Sequence, residues 1–286
     1  MPLSSRPGVM GILNVTPDSF SDGGRFLDVR AAIDHGVGLV RDGADVLDVG
    51  GESTRPGAQP VPSAEEIARI VPVVEGLSER LDVPISIDTQ KASVAAAALA
   101  AGATIVNDVS AGRFDPDMLG LVADAGAGFV AMHMQGEPRT MQRSPRYDDV
   151  VDDVTAFLVE RLDTARDAGV AAEGLMADPG FGFGKTLEHN LALLAGLDRI
   201  VARVGVPVLV GTSRKSFIGA VLGADVDDRD DGTLASVVWA FAKGAAMVRV
   251  HDVAGAARSA RLFDVMDRAR QDGMGPERPF RSETAA

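Results

Sequence analysis

The segment 178–185, Asp-Pro-Gly-Phe-Gly-Phe-Gly-Lys, combines a carboxylate, two aromatic rings and three glycines within eight residues. An apolar run, 175–177, precedes it and a helical pattern follows from Glu188, which predicts a glycine-rich turn between a strand and a helix. Glycine lets a backbone approach a flat ligand closely. A carboxylate here can accept two parallel N–H bonds while Phe181 and Phe183 offer apolar faces, so the segment predicts a site for a heteroaromatic ring with an amidine-like edge.

Two other interpretations of this segment stay open at this point. A nucleotide-binding P-loop has four residues between its first glycine and the Gly-Lys pair, whereas only three separate Gly180 from Gly184. A purely structural turn is the other interpretation, because glycine-rich strand ends are common in α/β folds. The spacing disfavours the P-loop, and the rest of the chain must separate a binding turn from a structural one.

The composition of the 286-residue chain narrows the classes of function. A formal net charge of −13 disfavours nucleic acid and anionic membranes as partners. The chain has no cysteine, which excludes disulfides and thiolate chemistry. No apolar run approaches the roughly 20 residues of a membrane span, and the N-terminus shows no signal-peptide core, so a cytoplasmic location is expected.

The elements that must position these groups follow one recurring pattern, in which a helical stretch ends in glycine and an apolar, β-rich run follows. Glycine suits the C-terminus of a helix, and a continuous apolar run is typical of a parallel strand buried on both faces. Five copies of this pattern and three further apolar runs predict eight strands. They lie within residues 9–15, 43–49, 85–89, 102–109, 126–133, 175–178, 205–211 and 244–251.

Helical patterns separate the predicted strands. Ser63 and Glu66 are predicted to form a capping box at the start of a helix over residues 63–81. Asp115 and Pro116 are predicted to begin another helix, as its N-cap and first residue. Later helices are predicted over residues 147–168, from 215, over 232–243 and over 254–270.

Eight alternating strand–helix units in a chain of this length favour a (β/α)8 TIM barrel, an α/β fold, over an open sheet. We therefore predict a single domain, the barrel, over residues 9–270. An N-terminal extension, 1–8, would precede it and a polar C-terminal tail, 271–286, would follow it. In this fold the active site lies at the C-terminal ends of the strands, which predicts where polar residues should be found.

The ends of the predicted strands are polar almost throughout. An acid at a strand end is often only a helix cap, and this stays the interpretation of Asp48, Asp108 and Asp252. Capping does not explain polar residues at nearly all eight ends, so we predict a pocket ringed by Asn, Asp, Lys, Arg and His. The strand-end residues are Asn14, Asp48, Asp88, Asn107, Asp108, His133, Asp178, Lys215, Arg249 and His251.

Two long loops follow the first two strands, at residues 16–27 and 52–62. Both exceed the usual few residues of such a connection and are rich in Gly, Pro and Ser. Long loops at the active face of a barrel are typical of lids or ligand clamps, which is the function we predict for them. A tolerated surface insertion is the other interpretation.

Charge adds a further constraint on the ligand. Arg55, Lys215, Arg249 and His251 are predicted to converge on one face of an acidic chain, which indicates an anionic substrate such as a phosphate ester. The chain has no His-x-His pair, no cysteine and no HExxH motif, which disfavours a protein-caged zinc. An Asn14 side-chain oxygen, together with substrate phosphates and waters, would suit Mg²⁺.

Eight motifs in order resemble the signatures of the dihydropteroate synthase family. The resemblance covers residues 9–270 and implies a TIM barrel, a homodimer and two small-molecule substrates. The family condenses a 6-hydroxymethyl-7,8-dihydropterin diphosphate with 4-aminobenzoate, which releases diphosphate and gives 7,8-dihydropteroate. The matching motifs are 10–22, 50–58, 86–89, 107–110, 132–136, 178–185, 213–216 and 249–251.

The resemblance also implies how the pterin is held. Asp178 is expected to take the aminopyrimidine edge, with Phe183 packing nearby and Met132 lining the pocket. Asp88 is expected to favour a pterin cation electrostatically. The implied pterin site is made of Asp88, Asn107, Met132, Asp178, Phe183 and Lys215.

The resemblance implies a reaction in which the C–O bond to diphosphate breaks towards a cation delocalised into the pterin. Mg²⁺ at Asn14, with Arg249 and His251, is expected to neutralise the leaving group. The attacking arylamine is already neutral at pH 7, so no general base is expected. The implied catalytic set is Arg55, Asp88, Lys215, Arg249 and His251, and Thr54, Arg55, Pro56 and Ser216 are implied to form the aminobenzoate site.

Two other functions share parts of this pattern. A pterin-binding barrel that transfers a methyl group to a corrinoid protein would keep Asp88, Asn107 and Asp178 but would not need the 52–62 loop. A non-catalytic pterin-binding paralogue should have lost loop residues, whereas both loops are retained. The family pattern has asparagine where this chain has Glu137, and little effect is expected from that difference.

Some conspicuous residues are predicted to be structural. His35 and His189 are expected on helices, as surface or packing residues, and Trp239 is expected in the core. Lys185 is expected to pair locally. The acidic run 227–231 is predicted to be a solvated loop, because it lacks the spacing of a calcium loop.

Overall fold

The computed structural model describes residues 6–16, 25–53, 59–137 and 139–272. Within these ranges, eight parallel strands form a single sheet. They are β1 (Gly8–Asn14), β2 (Val46–Gly50), β3 (Ile85–Asp88), β4 (Ile105–Asp108), β5 (Gly128–Met132), β6 (Leu175–Asp178), β7 (Leu209–Val210) and β8 (Met247–Val250). The strand order is β6-β5-β4-β3-β2-β1-β8-β7.

The sheet closes on itself. A parallel bridge between Ala177 and Val208 joins the two end strands, and the Ala177 N–H donates to the Pro207 carbonyl at 3.0 Å. Strand β7 is shorter than predicted, and Pro207 has no N–H to contribute to the ladder. Helices cover the outside of the barrel, so the predicted (β/α)8 TIM barrel is confirmed.

Ten α-helices are found among the described residues, and none of them is long and apolar enough to cross a bilayer. Two helices, rather than one, connect β6 to β7 and also β7 to β8. The helices are α1 (Arg25–Arg41), α2 (Ser63–Ser78), α3 (Ala92–Ala100), α4 (Met118–Asp124), α5 (Val150–Asp167), α6 (Leu187–Ala195), α7 (Leu197–Val204), α8 (Ser216–Leu222), α9 (Asp230–Ala242) and α10 (Val253–Gln271).

Alternation along the strands gives the barrel two apolar regions. One face of each strand packs against the helices, as Leu47 and Val106 do. The other face fills the barrel interior with side chains that form a separate apolar cluster. Full burial of each such side chain contributes about 1.5–3 kcal/mol, so this layer is a large part of the stability. The interior layer is Met10, Val46, Ile105, Val130, Met176, Leu209 and Met247.

The predicted capping box at the start of α2 is wrong. The helix begins at Ser63 after Pro62, and no side-chain cap is present. Glu66 is instead fully buried, accepts a hydrogen bond from Thr89 Oγ at 2.9 Å and pairs with Lys91 Nζ at 2.6 Å. Partners on the next strand–helix connection therefore replace the local backbone partner.

Two further local predictions are wrong. Asp115 is not the N-cap, because its helix begins at Met118, two residues later than predicted. Its carboxylate accepts the Asp117 N–H of the preceding turn at 3.1 Å and also the Ala92 N–H at the start of α3 at 2.8 Å. Trp239 is not in the core, since 49% of it is exposed and its indole N–H donates to the Leu194 carbonyl. As predicted, His35 lies at the surface.

Candidate functional site

A polar layer lies directly above the apolar interior layer of the barrel. Residues two apart on a strand point to the same face, so the residue two positions after an interior apolar one also points inward. Val46 is followed in this way by Asp48, and Met247 by Arg249. The inward-facing layer at the C-terminal ends of the strands contains Asp48, Asp88, Asn107, Met132, Asp178 and Arg249.

Arg249 is the centre of this layer. Its Nε lies 2.5 Å from Asp48 Oδ2, and one terminal nitrogen lies 2.7 Å from Asp88 Oδ2. Asn107 donates its amide N–H to the same Asp48 oxygen at 3.1 Å. Burial by itself lowers the pKa of Arg249. The charges of Asp48 and Asp88 have the opposite and larger effect, so the pKa lies above its ordinary value and Arg249 remains a cation. Strands β2, β3, β4 and β8 are thereby joined across the mouth of the barrel.

Asp88 keeps an unused acceptor in this layer. Burial raises its pKa to about 7, partly offset by the charge of Arg249. Among the described residues, no hydrogen bond reaches Asp88 Oδ1 or Asn107 Oδ1, although both atoms are buried. Buried acceptors without a partner are rare in folded proteins. These two oxygens can therefore accept hydrogen bonds from a ligand.

The turn after β6 adopts the conformation that its glycines allow. Asp178 Oδ1 accepts the Gly180 N–H at 2.7 Å, and burial raises the Asp178 pKa. Gly180 has φ +67°, and a Cβ at this position would lie 1.9 Å from the His133 carbonyl oxygen. No other residue fits here, so the glycine fixes the turn that begins at the carboxylate.

The two phenylalanines of this turn have different environments. Phe181 is fully buried and packs against Phe217, so the prediction that it offers a free apolar face is wrong. Phe183 is only partly buried and packs on a cluster that contains Met132. The apolar side of the site is thus formed by Phe183 and Met132.

Lys215 reaches the same place from the turn after β7. Its Nζ donates to the Phe181 carbonyl and lies 4.7 Å from the centre of the Phe183 ring. Burial lowers its pKa to about 8, against the opposing effect of the Asp178 charge. A methyl group placed on Gly211 would lie 3.8 Å from Asp178 Oδ2 and 3.9 Å from Lys215 Nζ. The Asp178 carboxylate and the Lys215 amine therefore both lie next to the backbone of Gly211, which carries no side chain.

The remaining predicted residues lie around this centre. Asn14 Oδ1 comes within 3.9 Å of a Cβ position on Gly50, as Asp88 Oδ2 does, so the amide and that carboxylate lie on either side of the bare backbone of Gly50. His251 Nδ1 is 2.9 Å from Ser213 Oγ, which holds the imidazole at the end of β8. Ser216, the first residue of α8, is exposed. Thr54, Arg55 and Pro56 lie outside the described residues.

His133 does not join the pocket. It follows the inward-facing Met132, so alternation turns it outward, where its ring packs against Phe157 at 4.8 Å between centroids. Its Nδ1 lies 2.9 Å from Lys185 Nζ, and burial with this neighbouring cation lowers its pKa to about 2. Lys185 pairs locally, as predicted, and donates to the carbonyls of Gly180 at 2.8 Å and Phe183 at 3.1 Å.

The three acids assigned to helix capping differ from one another. Asp252 caps α10, as predicted, by accepting the Gly255 N–H at 2.9 Å. Asp108 accepts two backbone N–H groups, but they belong to the turn after β4 and not to a helix. Asp48 is no cap at all, because it is buried in the barrel mouth as the partner of Arg249. Its spacing of two residues from Val46 was the signal for that position.

The chemistry of the donor set bears on a metal ion. Among the described residues, no group of three or more His, Cys, Asp or Glu side chains could hold one. An amide oxygen, Asn14 Oδ1, lies at the mouth of the barrel across Gly50 from Asp88. This fits Mg²⁺ carried on substrate phosphates, since Mg²⁺ keeps several waters and takes few protein ligands.

Comparisons with known proteins agree with this geometry. A family model described as pterin binding enzyme matches residues 10–251. The chain is 46% identical over 262 residues to dihydropteroate synthase of Synechocystis sp., covering 91% of this chain and 90% of that protein. A solved Xanthomonas albilineans dihydropteroate synthase with 4-aminobenzoic acid has a TM-score of 0.86 and 48% identity, covering 92% of this chain and 94% of that chain.

A second solved structure from the same organism, a dihydropteroate synthase in complex with 7,8-dihydropteroate, is also similar. It has a TM-score of 0.83 and 45% sequence identity. The match covers 92% of this chain and 94% of that chain. Family model, sequence relatives and solved structures therefore point to the same family over nearly the whole chain.

Proposed function

The chain belongs to the dihydropteroate synthases among the pterin-binding enzymes, and from this we propose that it makes 7,8-dihydropteroate, a folate precursor. Its substrates are (7,8-dihydropterin-6-yl)methyl diphosphate and 4-aminobenzoate, and diphosphate is the second product. The observation that carries the proposal is the polar layer, in which buried acceptors of Asp88 and Asn107 stand beside Asp178 and the cations Lys215 and Arg249.

The polar layer can bind the pterin by its edge. A neutral aminopyrimidine offers two parallel N–H donors, and the Asp178 carboxylate, fixed by the Gly180 N–H, can accept both. Asn107 Oδ1 and Asp88 Oδ1 provide further acceptors, and Lys215 provides a donor next to Asp178. The ring then lies against Phe183, which the lysine already approaches.

The diphosphate is proposed to bind at the C-terminal end of β8. Arg249 and His251, at the end of β8, are proposed to bind it, together with Mg²⁺ held at Asn14. When bound, Mg²⁺ supplies positive charge to the phosphate oxygens and so stabilises the departing anion. Chelation with EDTA should abolish turnover and added Mg²⁺ should restore it. Turnover that is unchanged in EDTA after exhaustive dialysis would contradict the metal assignment.

The reaction then follows from these positions. The C–O bond to diphosphate breaks, its electron pair leaves with the oxygen, and Arg249 and His251 stabilise the charge that forms. Positive charge spreads into the pterin, where the ionised Asp88 carboxylate stabilises it electrostatically. The neutral arylamine forms the new C–N bond and releases a proton to solvent. Ser216 is proposed to face the arylamine, with Thr54, Arg55 and Pro56 assigned to that site by the family resemblance alone.

The test is diphosphate release by the purified protein with both substrates and Mg²⁺. We expect release that depends on 4-aminobenzoate and that is lost in Asp178→Ala. Asp231→Ala is the matched control, since it removes an exposed carboxylate from the surface of α9. Tight pterin binding without turnover in the wild type would instead favour a non-catalytic pterin-binding paralogue, which the comparisons do not favour.

A homodimer is also proposed, and the surface of four adjoining helices supports it. Large apolar side chains are exposed on α6, α8, α9 and α10, including Trp239, and such patches mark protein interfaces. Light scattering should give a molar mass twice the 29.7 kDa of one chain. Met266→Asp should reduce that mass to the value of a single chain. A wild-type monomer at micromolar concentration would reject the dimer. The exposed residues are Leu191, Val221, Leu222, Val238, Trp239, Leu262 and Met266.

A further inference from the structure

The turn that presents Lys215 has an unfavourable backbone conformation. The Lys215 N–H donates to the Thr212 carbonyl at 3.2 Å, which closes a four-residue turn. Arg214, its third residue, has φ +55°. That position in a turn with positive φ favours glycine or asparagine, because a side chain crowds the backbone there. The Lys215 side chain can therefore reach Asp178 only while Arg214 is held in this conformation.

The N–H, the carbonyl and two guanidinium nitrogens of Arg214 are bound by the start of α9 or by the residue before it. Its N–H donates to Thr233 Oγ at 3.1 Å, and its carbonyl accepts from Arg229 at 3.1 Å. Its guanidinium forms two bonds to the Asp230 carboxylate, at 2.8 and 2.9 Å. Two-point pairing of this kind fixes direction as well as distance. A residue with positive φ is thus anchored at backbone and side chain by one neighbouring helix.

Asp230 differs from the other acids of its run. The acidic run 227–231 was predicted to be solvated, and Asp227, Asp228 and Asp231 are exposed. Asp230 alone among these four makes a two-point ion pair, and hydrogen bonding to Arg214 lowers its pKa. The run therefore contains one functional candidate and three chemically matched controls.

We propose that Asp230 is a positioning residue for the reaction, because its two bonds to Arg214 hold the turn that presents Lys215 to the pterin. The inference rests on the proposed function, since it assigns Lys215 to pterin binding. Both carboxylate oxygens of Asp230 bind Arg214, and the charge of His251 also acts on this carboxylate, so a pterin without diphosphate is the ligand that isolates the effect of the turn. Loss of Asp230 should weaken pterin binding without removing any group that touches the substrate.

The structure also predicts which substitutions of Arg214 are tolerated. Arg214→Ala removes the ion pair but keeps a side chain at positive φ, so the turn loses its anchor and keeps its crowding. Arg214→Gly removes both the anchor and the crowding, because glycine adopts this conformation readily. Arg214→Gly should therefore bind pterin more tightly than Arg214→Ala. A role in packing or surface charge alone predicts the opposite order or no difference.

The experiment measures binding of 6-hydroxymethylpterin by calorimetry, with kcat, KM and the thermal midpoint for each variant. Asp230→Ala should raise the pterin dissociation constant about tenfold, as expected for release of one strained backbone conformation. Asp230→Glu should recover part of the affinity, and Asp231→Ala should remain within about twofold of wild type. Binding is read separately from folding, so a variant that is only less stable would show a lower midpoint with an unchanged dissociation constant.

Three outcomes would overturn the proposal. The first is equal pterin affinity in Asp230→Ala and Asp231→Ala, and the second is an Arg214→Ala variant that binds as well as Arg214→Gly. The third is a wild type that binds no pterin, which would overturn the proposed function as well. A wild type that binds pterin but does not turn over would contradict only the proposed function, because the binding series still tests Asp230.

Discussion

The two layers of side chains inside the barrel have opposite chemistry although the same strands supply both. Below, Met10, Val46, Met176 and their neighbours make an apolar plug. Above, one inward-facing position further along, the layer holds carboxylates, an amide and a guanidinium. Two residues along a strand thus separate the layer that stabilises the barrel from the layer that we propose binds the substrates. This separation predicts different consequences for substitutions in each layer.

The upper layer contains three of the five buried side-chain oxygens that lack a hydrogen-bond partner among the described residues. Among the described residues, the buried side-chain oxygens without a hydrogen-bond partner all lie on β2, β3 and β4 or just after them. Each such group costs about 1–3 kcal/mol while it stays unpaired. A ligand that donates to these oxygens would recover that free energy on binding. They are Asp48 Oδ1, Ser86 Oγ, Asp88 Oδ1, Gln90 Oε1 and Asn107 Oδ1.

The largest effect is expected from Arg249→Met, which removes the one cation that binds both Asp48 and Asp88. Two buried carboxylates then lose their partner, so the free energy of unfolding should fall by about 3–5 kcal/mol. kcat/KM should fall at least about 10²–10³-fold, because the leaving group loses a stabilising charge. Denaturant unfolding and diphosphate release measure the two effects.

A double variant separates charge from packing in this prediction. Asp48→Asn should restore part of the stability of Arg249→Met, because it removes one of the unpaired charges, while activity should stay low. A double variant that is less stable than Arg249→Met would show that unpaired charge does not determine the stability of the polar layer. The comparison of the two layers would then fail.

The second effect in size is expected from Asp178→Asn, which should change activity but not stability. The amide oxygen can still accept the Gly180 N–H, but its NH2 group faces the donors of the pterin. An unpaired buried donor costs about 1–3 kcal/mol, so kcat/KM should fall about 10–100-fold. Because burial raises the Asp178 pKa, the neutral amide should leave the unfolding free energy equal or higher.

Asp108→Asn is the matched control for that variant. Asp108 is also a buried acid at the end of a strand, but its two oxygens accept the N–H groups of Ser110 and Gly112. The control should change stability more than kcat/KM. A loss of activity in Asp108→Asn as large as in Asp178→Asn would show that the readout reports folding rather than recognition.

The barrel could be predicted from sequence because its signals are local and repeated. Each of the five apolar runs after a helix-ending glycine became a strand, as did the three further apolar runs, and eight strands leave few alternatives to closure. The errors concern partners distant in sequence. Glu66 was assigned to its own helix, whereas its bond goes to Thr89 on the neighbouring unit. Asp115 keeps a local bond to the Asp117 N–H but also binds Ala92 at the start of the neighbouring helix. A local capping rule cannot include such partners.

The residues of the site could be predicted from the sequence, but the partners that they bind could not. The strand-end residues were found by position, yet their sequence does not say that Arg249 binds Asp48 across 201 residues. The direction of the side chains, by contrast, follows from the sequence, because alternation along a strand puts Asp48 inside the barrel and His133 outside. Asp230 carried no sequence signal, because its role depends on the positive φ of Arg214.

The lower layer should respond in the opposite way to the upper one. Met176→Ala leaves a cavity in the apolar plug and should reduce the unfolding free energy by about 2–5 kcal/mol. kcat/KM at 20 °C should stay within about twofold of wild type, because no atom of the polar layer is removed. Val226→Ala, which shortens an exposed side chain between α8 and α9, is the control that should change neither. A large loss of activity in folded Met176→Ala would contradict the separation of the layers.

A pH dependence that has opposite signs for stability and for activity is expected from Asp88. The folded-state pKa of Asp88, about 7, exceeds its unfolded value, so the folded protein holds an extra proton between about pH 4 and 7. The stability that this proton contributes is complete below the unfolded pKa and is lost as pH rises through 7. The slope is about 1.4 kcal/mol per pH unit within that window.

Asp88→Asn isolates this contribution, because asparagine cannot titrate. The unfolding free energy of wild type minus that of Asp88→Asn should decrease between pH 5 and 7 and level off above it. kcat/KM of the wild type should rise over the same range, because the ionised carboxylate is the form that stabilises a pterin cation and pairs with Arg249. A stability difference that is flat with pH would mean that Asp88 is ionised throughout. In that case the ion pair with Arg249 would keep Asp88 charged over the whole pH range of the measurement.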